Sequence, residues 1–148
     1  MNLFSLEGQV AIVTGSSRGI GRAIAERLAE HGAQVVISSR KAEPCSEVAA
    51  AINAAHGAGR AISIPANISR KEELRHLVDE TTRQLGRIDI LVCNAASNPY
   101  YGPMAGLADE QFHGEGARLL LGGLALHADL GPETTASSFY GWLLAGMG

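Results

Sequence analysis

Lysine disappears from this 148-residue sequence after Lys71, and asparagine after Asn98. No ammonium group from the second half of the chain can therefore serve a reaction. Cysteine is nearly absent. Cys45 and Cys93 stand in unlike contexts, one near a helix start and one closing an apolar run, so neither a disulfide nor a zinc pattern is present. That usage suits a reduced, cytoplasmic chain. There is no basic excess: the net charge is −3, which argues against nucleic acid as a partner. No apolar run approaches the roughly 20 residues of a membrane helix, and Glu7 replaces the basic start of a secretory signal. His31, His56 and His76 are scattered over helical positions as surface residues, and His113 and His127 have no metal-ligand spacing to a cysteine.

What is present is an alternation. The apolar run at 9–13 suits a buried parallel strand. Ile20, Ile24 and Leu28 then form the apolar face of a helix closed at His31-Gly32. Val35-Val36-Ile37 follows as a second strand, completing a βαβ unit. Pro44 suits the first turn of a second helix, with Val48, Ala51, Ile52 and Ala55 as its stripe. Ala61–Ile64 reads as a third strand. Ser69 and Glu72 match a capping box for a third helix, whose apolar face is Leu74, Leu77, Val78 and Leu85. Ile88–Cys93 reads as a fourth strand. Right-handed crossovers place these in the order 3-2-1-4, a Rossmann-like, doubly wound parallel α/β sheet. Beyond Phe112 the composition changes. Residues 113–148 hold eight glycines, one arginine (Arg118) and no sustained period, although Leu119–Leu124 can form a strand or short helix. The chain thus divides into a half-domain over 1–112 and an irregular tail over 113–148.

Four clusters carry chemistry, all where strands end. Thr14–Gly21 is a glycine-rich turn between a strand and a helix, an arrangement that cradles a dinucleotide pyrophosphate. Gly15 allows the tight turn, Gly19 a close approach of ligand to backbone, and Gly21 close packing of the new helix. Ser17, Arg18 and Ile20 complete this set of candidate contacts. After the second strand stands Ser38-Ser39-Arg40, where an NAD site wants a carboxylate. Arg40 and Arg18 instead suit a 2′-phosphate, so NADP(H) is favoured over NAD(H). Asn67 and Ile68 follow the third strand, and an amide oxygen at 67 can accept from the adenine amino group; a plain loop residue ahead of the Ser69 cap is the equal alternative. Asn94, Ala95 and Ala96 follow the fourth strand, small enough to let a cofactor lie across the strand ends, with Asn94 able to tie neighbouring strands together. Tyr100 and Tyr101 sit in the next loop as aromatic contacts.

From about Leu6 to Phe112 these residues resemble the short-chain dehydrogenase/reductase family. The resemblance rests on Thr14–Gly21, Arg40 in the NADP-type position, Asn67-Ile68, Asn94-Ala95-Ala96 and the helical start at Leu107–Phe112. Asn67 stands where the family more often has Asp, and Ala96 where it has Gly. The resemblance implies hydride transfer between NADP(H) and a small carbonyl or alcohol. In such enzymes a tyrosine exchanges the proton, assisted by a lysine four residues later that favours the ionised phenol, ordinarily of pKa about 10. That pair does not carry over: Tyr140 is followed four residues later by Leu144. No catalytic residue is assigned, and the chain reads as a truncated, inactive relative or a dinucleotide-binding module. A sheet ending at its fourth strand leaves Ile88, Ile90, Leu91 and Val92 without neighbours, at roughly 1.5–3 kcal/mol per exposed side chain. The expectation is a marginal fold prone to self-association through that edge.

Overall fold

The computed structural model describes residues 3–94 and, for the backbone, 135–137. The expectations placed on Ala95, Ala96, Tyr100, Tyr101, Leu107–Phe112, the boundary at 112/113, His113, His127, Leu119–Leu124 and Tyr140 lie outside the described residues.

Strands and helices alternate. The order is β1 (Val10–Thr14), α1 (Gly19–Glu30), β2 (Gln34–Ser38), α2 (Ala42–His56), β3 (Ala61–Ser63), α3 (Lys71–Leu85), β4 (Ile90–Val92) and β5 (Thr135–Ser137). Every pairing is parallel and the sheet order is β3-β2-β1-β4-β5. Continuous apolar runs make this arrangement stable, because the central strands are covered on both faces. One face, with Ala11, Val13, Val35 and Ile37, packs against Ala25 and Ala29 of α1 and Val48 and Ile52 of α2. The other, with Ile12, Val36 and Leu91, packs against Leu74, Leu77 and Val78 of α3. The sheet is therefore doubly wound.

The fourth strand is not an edge. β5 pairs with it in register, Ile90 opposite Thr135 and Val92 opposite Ser137, so part of the tail is regular and covers the flank that the sequence leaves open. Leu91 and Val92 are buried, and Ile88 and Ile90 are half-buried. Among the described strands the outer edges are β5 and, on the opposite side, β3. There the Asn53 side chain donates to the Ala61 carbonyl and accepts from its N–H, at 2.9 and 2.8 Å, standing in for a neighbouring strand.

Three local expectations are corrected. The buried stripe of α1 is Gly21, Ala25 and Ala29, one residue later than Ile20, Ile24 and Leu28. Ile20 is 54% exposed, and Ile24 and Leu28 only flank the core. In α2 the buried positions are Cys45, Val48, Ala49 and Ile52, while Ala51 and Ala55 face out. In α1 small residues win the inner positions because they let the helix sit close to the sheet. The capping box at Ser69 and Glu72 does not form. α3 starts at Lys71 with no side-chain cap. Its lead-in is fastened by Asn67, whose Oδ1 accepts from the Ser69 N–H at 2.9 Å, and by Glu73, which accepts from the Asn67 N–H at 2.7 Å.

Candidate dinucleotide site

Parallel strands deliver their carboxyl ends to one edge, and the loops after β1, β2, β3 and β4 meet there. In such sheets that edge is where ligands bind.

The turn after β1 is built from conformations that suit glycine. Gly15 has φ 64° and Gly19 φ 59°, both in the left-handed region. Between them Ser16 is fully buried. Its hydroxyl donates to the Val13 carbonyl at 2.7 Å and accepts from the Ser38 N–H at 3.0 Å, and its N–H donates to the Ser38 carbonyl at 3.2 Å. This serine locks the exit of β1 to the exit of β2. Sequence reading passed it over, because the partner lies 22 residues away.

α1 begins without help from any side chain. Its N-cap, Arg18, is extended and makes no side-chain cap bond. The first i→i−4 bond runs from the Arg22 N–H to the Arg18 carbonyl at 3.3 Å. The N–H groups of Gly19, Ile20 and Gly21 precede it, and the partial positive charge of the helix terminus gathers on them. The two glycines have opposite surroundings. A Cβ on Gly21 would collide with the Gly15 carbonyl oxygen and stand 2.5 Å from Asn94 Nδ2, whereas one on Gly19 would meet nothing within 4 Å. The helix is packed tightly on its inner side and open on its outer side. An anionic ligand fits that open side, and the unfilled donors suit it.

The loop after β4 is tied to the same turn. The Thr14 hydroxyl donates to the Val92 carbonyl at 3.3 Å and accepts from the Asn94 N–H at 3.0 Å, and Asn94 Nδ2 donates to the Gly15 carbonyl at 3.2 Å. Asn94 does link neighbouring strands through its side chain. Thr14 is buried and is a second residue that sequence reading missed. Thr14→Val is expected to lower stability by about 1.5 kcal/mol by leaving buried polar partners unmatched, measured as a lower urea midpoint at unchanged slope.

After β2, Arg40 is exposed, as Arg18 is after Gly15-Ser16-Ser17. Each stands two residues beyond one of the interlocked serines, Ser38 and Ser16. Neither guanidinium has a carboxylate partner among the described residues; Arg75 on α3 also lacks one, whereas Arg22, Arg27, Arg60, Arg70, Arg83 and Arg87 each have one. Ser39 is half-buried with its hydroxyl 3.1 Å from Cys45 Sγ.

The loop after β3 joins this surface through the Ala66 N–H, which donates to the Ser39 carbonyl at 3.0 Å. Asn67 follows directly, and Ile68 packs its side chain against the core below. The structure thus brings Gly15, Ser17, Arg18, Gly19, Ile20, Gly21, Arg40, Asn67, Ile68 and Asn94 to one edge of the sheet. No group of acidic, histidine or cysteine side chains suited to a metal occurs among the described residues. Burial pushes the Cys93 thiol above its ordinary pKa, so it stays protonated and unreactive near neutrality. No described helix is long and apolar enough to cross a membrane.

Known proteins share this arrangement. The sequence model of the short chain dehydrogenase family matches residues 9–116. A short-chain dehydrogenase/reductase, SDRA, from Arabidopsis thaliana is 46% identical over 99 residues, covering 67% of this chain and 38% of the relative. Dehydrogenase/reductase SDR family member 4 from Oryctolagus cuniculus is 42% identical over 108 residues, covering 71% of this chain and 40% of the relative. Among solved structures, a hydroxysteroid dehydrogenase from Escherichia coli superposes with a TM-score of 0.77 at 31% identity, over 91% of this chain and 55% of that one. The chain therefore spans about two fifths of these curated relatives.

Proposed function

The chain belongs to the short-chain dehydrogenase family, and on that premise we propose that its strand-end edge binds NADP(H) in preference to NAD(H), without the residues that would move a proton. The observation that carries this reading is the α1 terminus. It is uncapped, open at Gly19 and closed at Gly21, and it is flanked by two arginines that no carboxylate among the described residues neutralises. In this reading the N–H groups of Gly19, Ile20 and Gly21, with Gly15 and Ser17, hold the pyrophosphate. Arg18 and Arg40 grip the 2′-phosphate, whose charge matches theirs. Asn67 and Ile68 flank the adenine, and Asn94, Ala95 and Ala96 line the path toward the nicotinamide. When bound, NADP(H) supplies a hydride that can be exchanged with a carbonyl or alcohol.

What this chain supplies around it is binding and orientation. A phenol needs a nearby cation to ionise near neutral pH, and Tyr140 has Leu144 where that lysine belongs. Residues 1–112 then act as a nucleotide-binding half and 113–148 as a divergent tail. The alternative is a working carbonyl or alcohol oxidoreductase, favoured by the names of the relatives; it requires NADPH consumption with a ketone or aldehyde.

Calorimetric titration decides between the cofactors. NADPH is expected to bind at least about tenfold more tightly than NADH, the worth of one charge-assisted hydrogen bond. Arg40→Ala is expected to remove about that factor for NADPH and leave NADH unchanged. Equal affinity of the native chain for the two nucleotides would overturn the assignment.

A further inference from the structure

The exits of β1 and β2 are bolted together at one buried side chain. Ser16 has no exposed surface. Its hydroxyl donates to the Val13 carbonyl and accepts from the Ser38 N–H, while its own N–H donates to the Ser38 carbonyl. The strand register ends at Thr14 opposite Ser38, so these bonds carry the pairing onward into the glycine turn. A hydroxyl gives and takes at once, which an alanine methyl cannot do, and bonds shielded from water are stiff. The next residue of the β2 loop is held as well. The Ser39 hydroxyl lies 3.1 Å from Cys45 Sγ, and the Ser39 carbonyl accepts from the Ala66 N–H at 3.0 Å. Arg18 and Arg40 each follow a locked serine by two residues, a reach of at most about 7 Å of chain. Both arginines are exposed, and neither has a carboxylate partner among the described residues. The spacing between their backbones is set from beneath by the Ser16–Ser38 lock.

We propose that Ser16 is a positioning residue: by locking the β1 turn to the β2 loop, it holds Arg18 and Arg40 at a spacing at which both grip one 2′-phosphate. Its buried hydroxyl touches no ligand and acts through the two arginines. This inference rests on the NADP(H) reading above and adds that the two guanidinium groups work as one unit. Groups held in place before binding lose less freedom when the ligand arrives than groups that must be ordered by it. The effect is confined to the 2′-phosphate. When the serine hydroxyl is removed, the turn keeps its second anchor, Asn94 on the Gly15 carbonyl, so the pyrophosphate contacts persist. What is released is the tie to the Arg40 loop.

The test is titration calorimetry on the full chain with NADPH and with NADH. Ser16→Ala is expected to weaken NADPH binding about fivefold or more and to leave NADH binding within about twofold of native. A serine with a merely structural role would move both affinities alike or neither, and either result overturns the inference. The second arm is a cycle of Arg18→Ala, Arg40→Ala and the double variant. In the native background the double variant is expected to lose less NADPH affinity than the product of the single losses, by about threefold or more, because the two residues act on one group. In the Ser16→Ala background the losses are expected to multiply. Losses that multiply in the native background overturn the inference. Both arginines are exposed, so this arm stays decisive if Ser16→Ala fails to fold. A native chain that binds NADPH no more tightly than NADH removes the 2′-phosphate reading and this inference with it. A preference for NADPH that survives Ser16→Ala defeats this inference alone.

Discussion

Gly21→Ala is expected to destabilise the chain by about 3 kcal/mol, the upper end of the usual cost of overpacking, and to abolish nucleotide binding. The added methyl has nowhere to go. It would collide with the Gly15 carbonyl oxygen and press on Asn94 Nδ2 at 2.5 Å. Those two atoms are hydrogen-bonded to each other at 3.2 Å, so the methyl drives apart a bond that joins the turn to the end of β4. Both neighbours are backbone or held by backbone, and neither can swing aside. Gly19→Ala is the matching control. Its φ of 59° costs an alanine about 1–2 kcal/mol, yet the methyl projects into open space. The fold should survive, while the methyl occupies the side where ligand would approach. Thermal melting and NADPH titration on both variants separate a packing lesion from a binding lesion. Equal melting temperatures for Gly21→Ala and the native chain would contradict the close approach of α1 to the turn.

Asp89→Ala is expected to cost about 3 kcal/mol at neutral pH, at the opposite edge of the sheet. Asp89 precedes β4 and fastens it to the start of β1. Its N–H donates to the Val10 carbonyl at 2.9 Å, and its Oδ2 accepts from the Val10 N–H at 2.8 Å. Arg87 reaches both carboxylate oxygens. Val10 is only 1% exposed, so its N–H has no water to turn to once the carboxylate is gone. Burial opposes ionisation of Asp89, but the hydrogen bonds from Arg87 and Val10 outweigh it and hold the carboxyl below its ordinary value of 3.8. A lowered folded-state pKa means that this stabilisation is complete above 3.8 and fades as pH falls below it through the folded-state value. Asp89→Asn keeps one acceptor and loses the charge. Its deficit in urea denaturation against the native chain is expected to shrink on acidification. A deficit that stays constant down to pH 2 would show that ionised Asp89 contributes nothing.

Sheet order was legible because continuous apolar runs at Val10–Val13, Val35–Ile37 and Ile90–Val92 can only be strands buried on both faces, and the helices between them fix the crossovers. The glycine turn was legible because Gly15, Gly19 and Gly21 stand between a strand and a helix. What escaped depends on size and on distant partners. Hydrophobicity favoured Ile20, Ile24 and Leu28 as the inner face of α1, but close contact with the sheet selects for small volume, and Gly21, Ala25 and Ala29 take those places. Ser16, Thr14 and Asp89 act through atoms 22, 78 and 79 residues away, a separation no local pattern records. β5 is three residues of Thr-Ala-Ser with no apolar run, and it is recognisable only by its register against β4.

The measurement that bears most directly on the nucleotide cradle is a titration of the full chain with NADPH, followed by the backbone amide resonances. Saturable shifts concentrated at Gly19, Ile20 and Gly21, with smaller ones at Arg40 and Asn67, are expected if the open terminus of α1 holds the pyrophosphate. Amide signals at 19–21 that stay fixed while NADPH binds, or that move no more than those of α3, would contradict it.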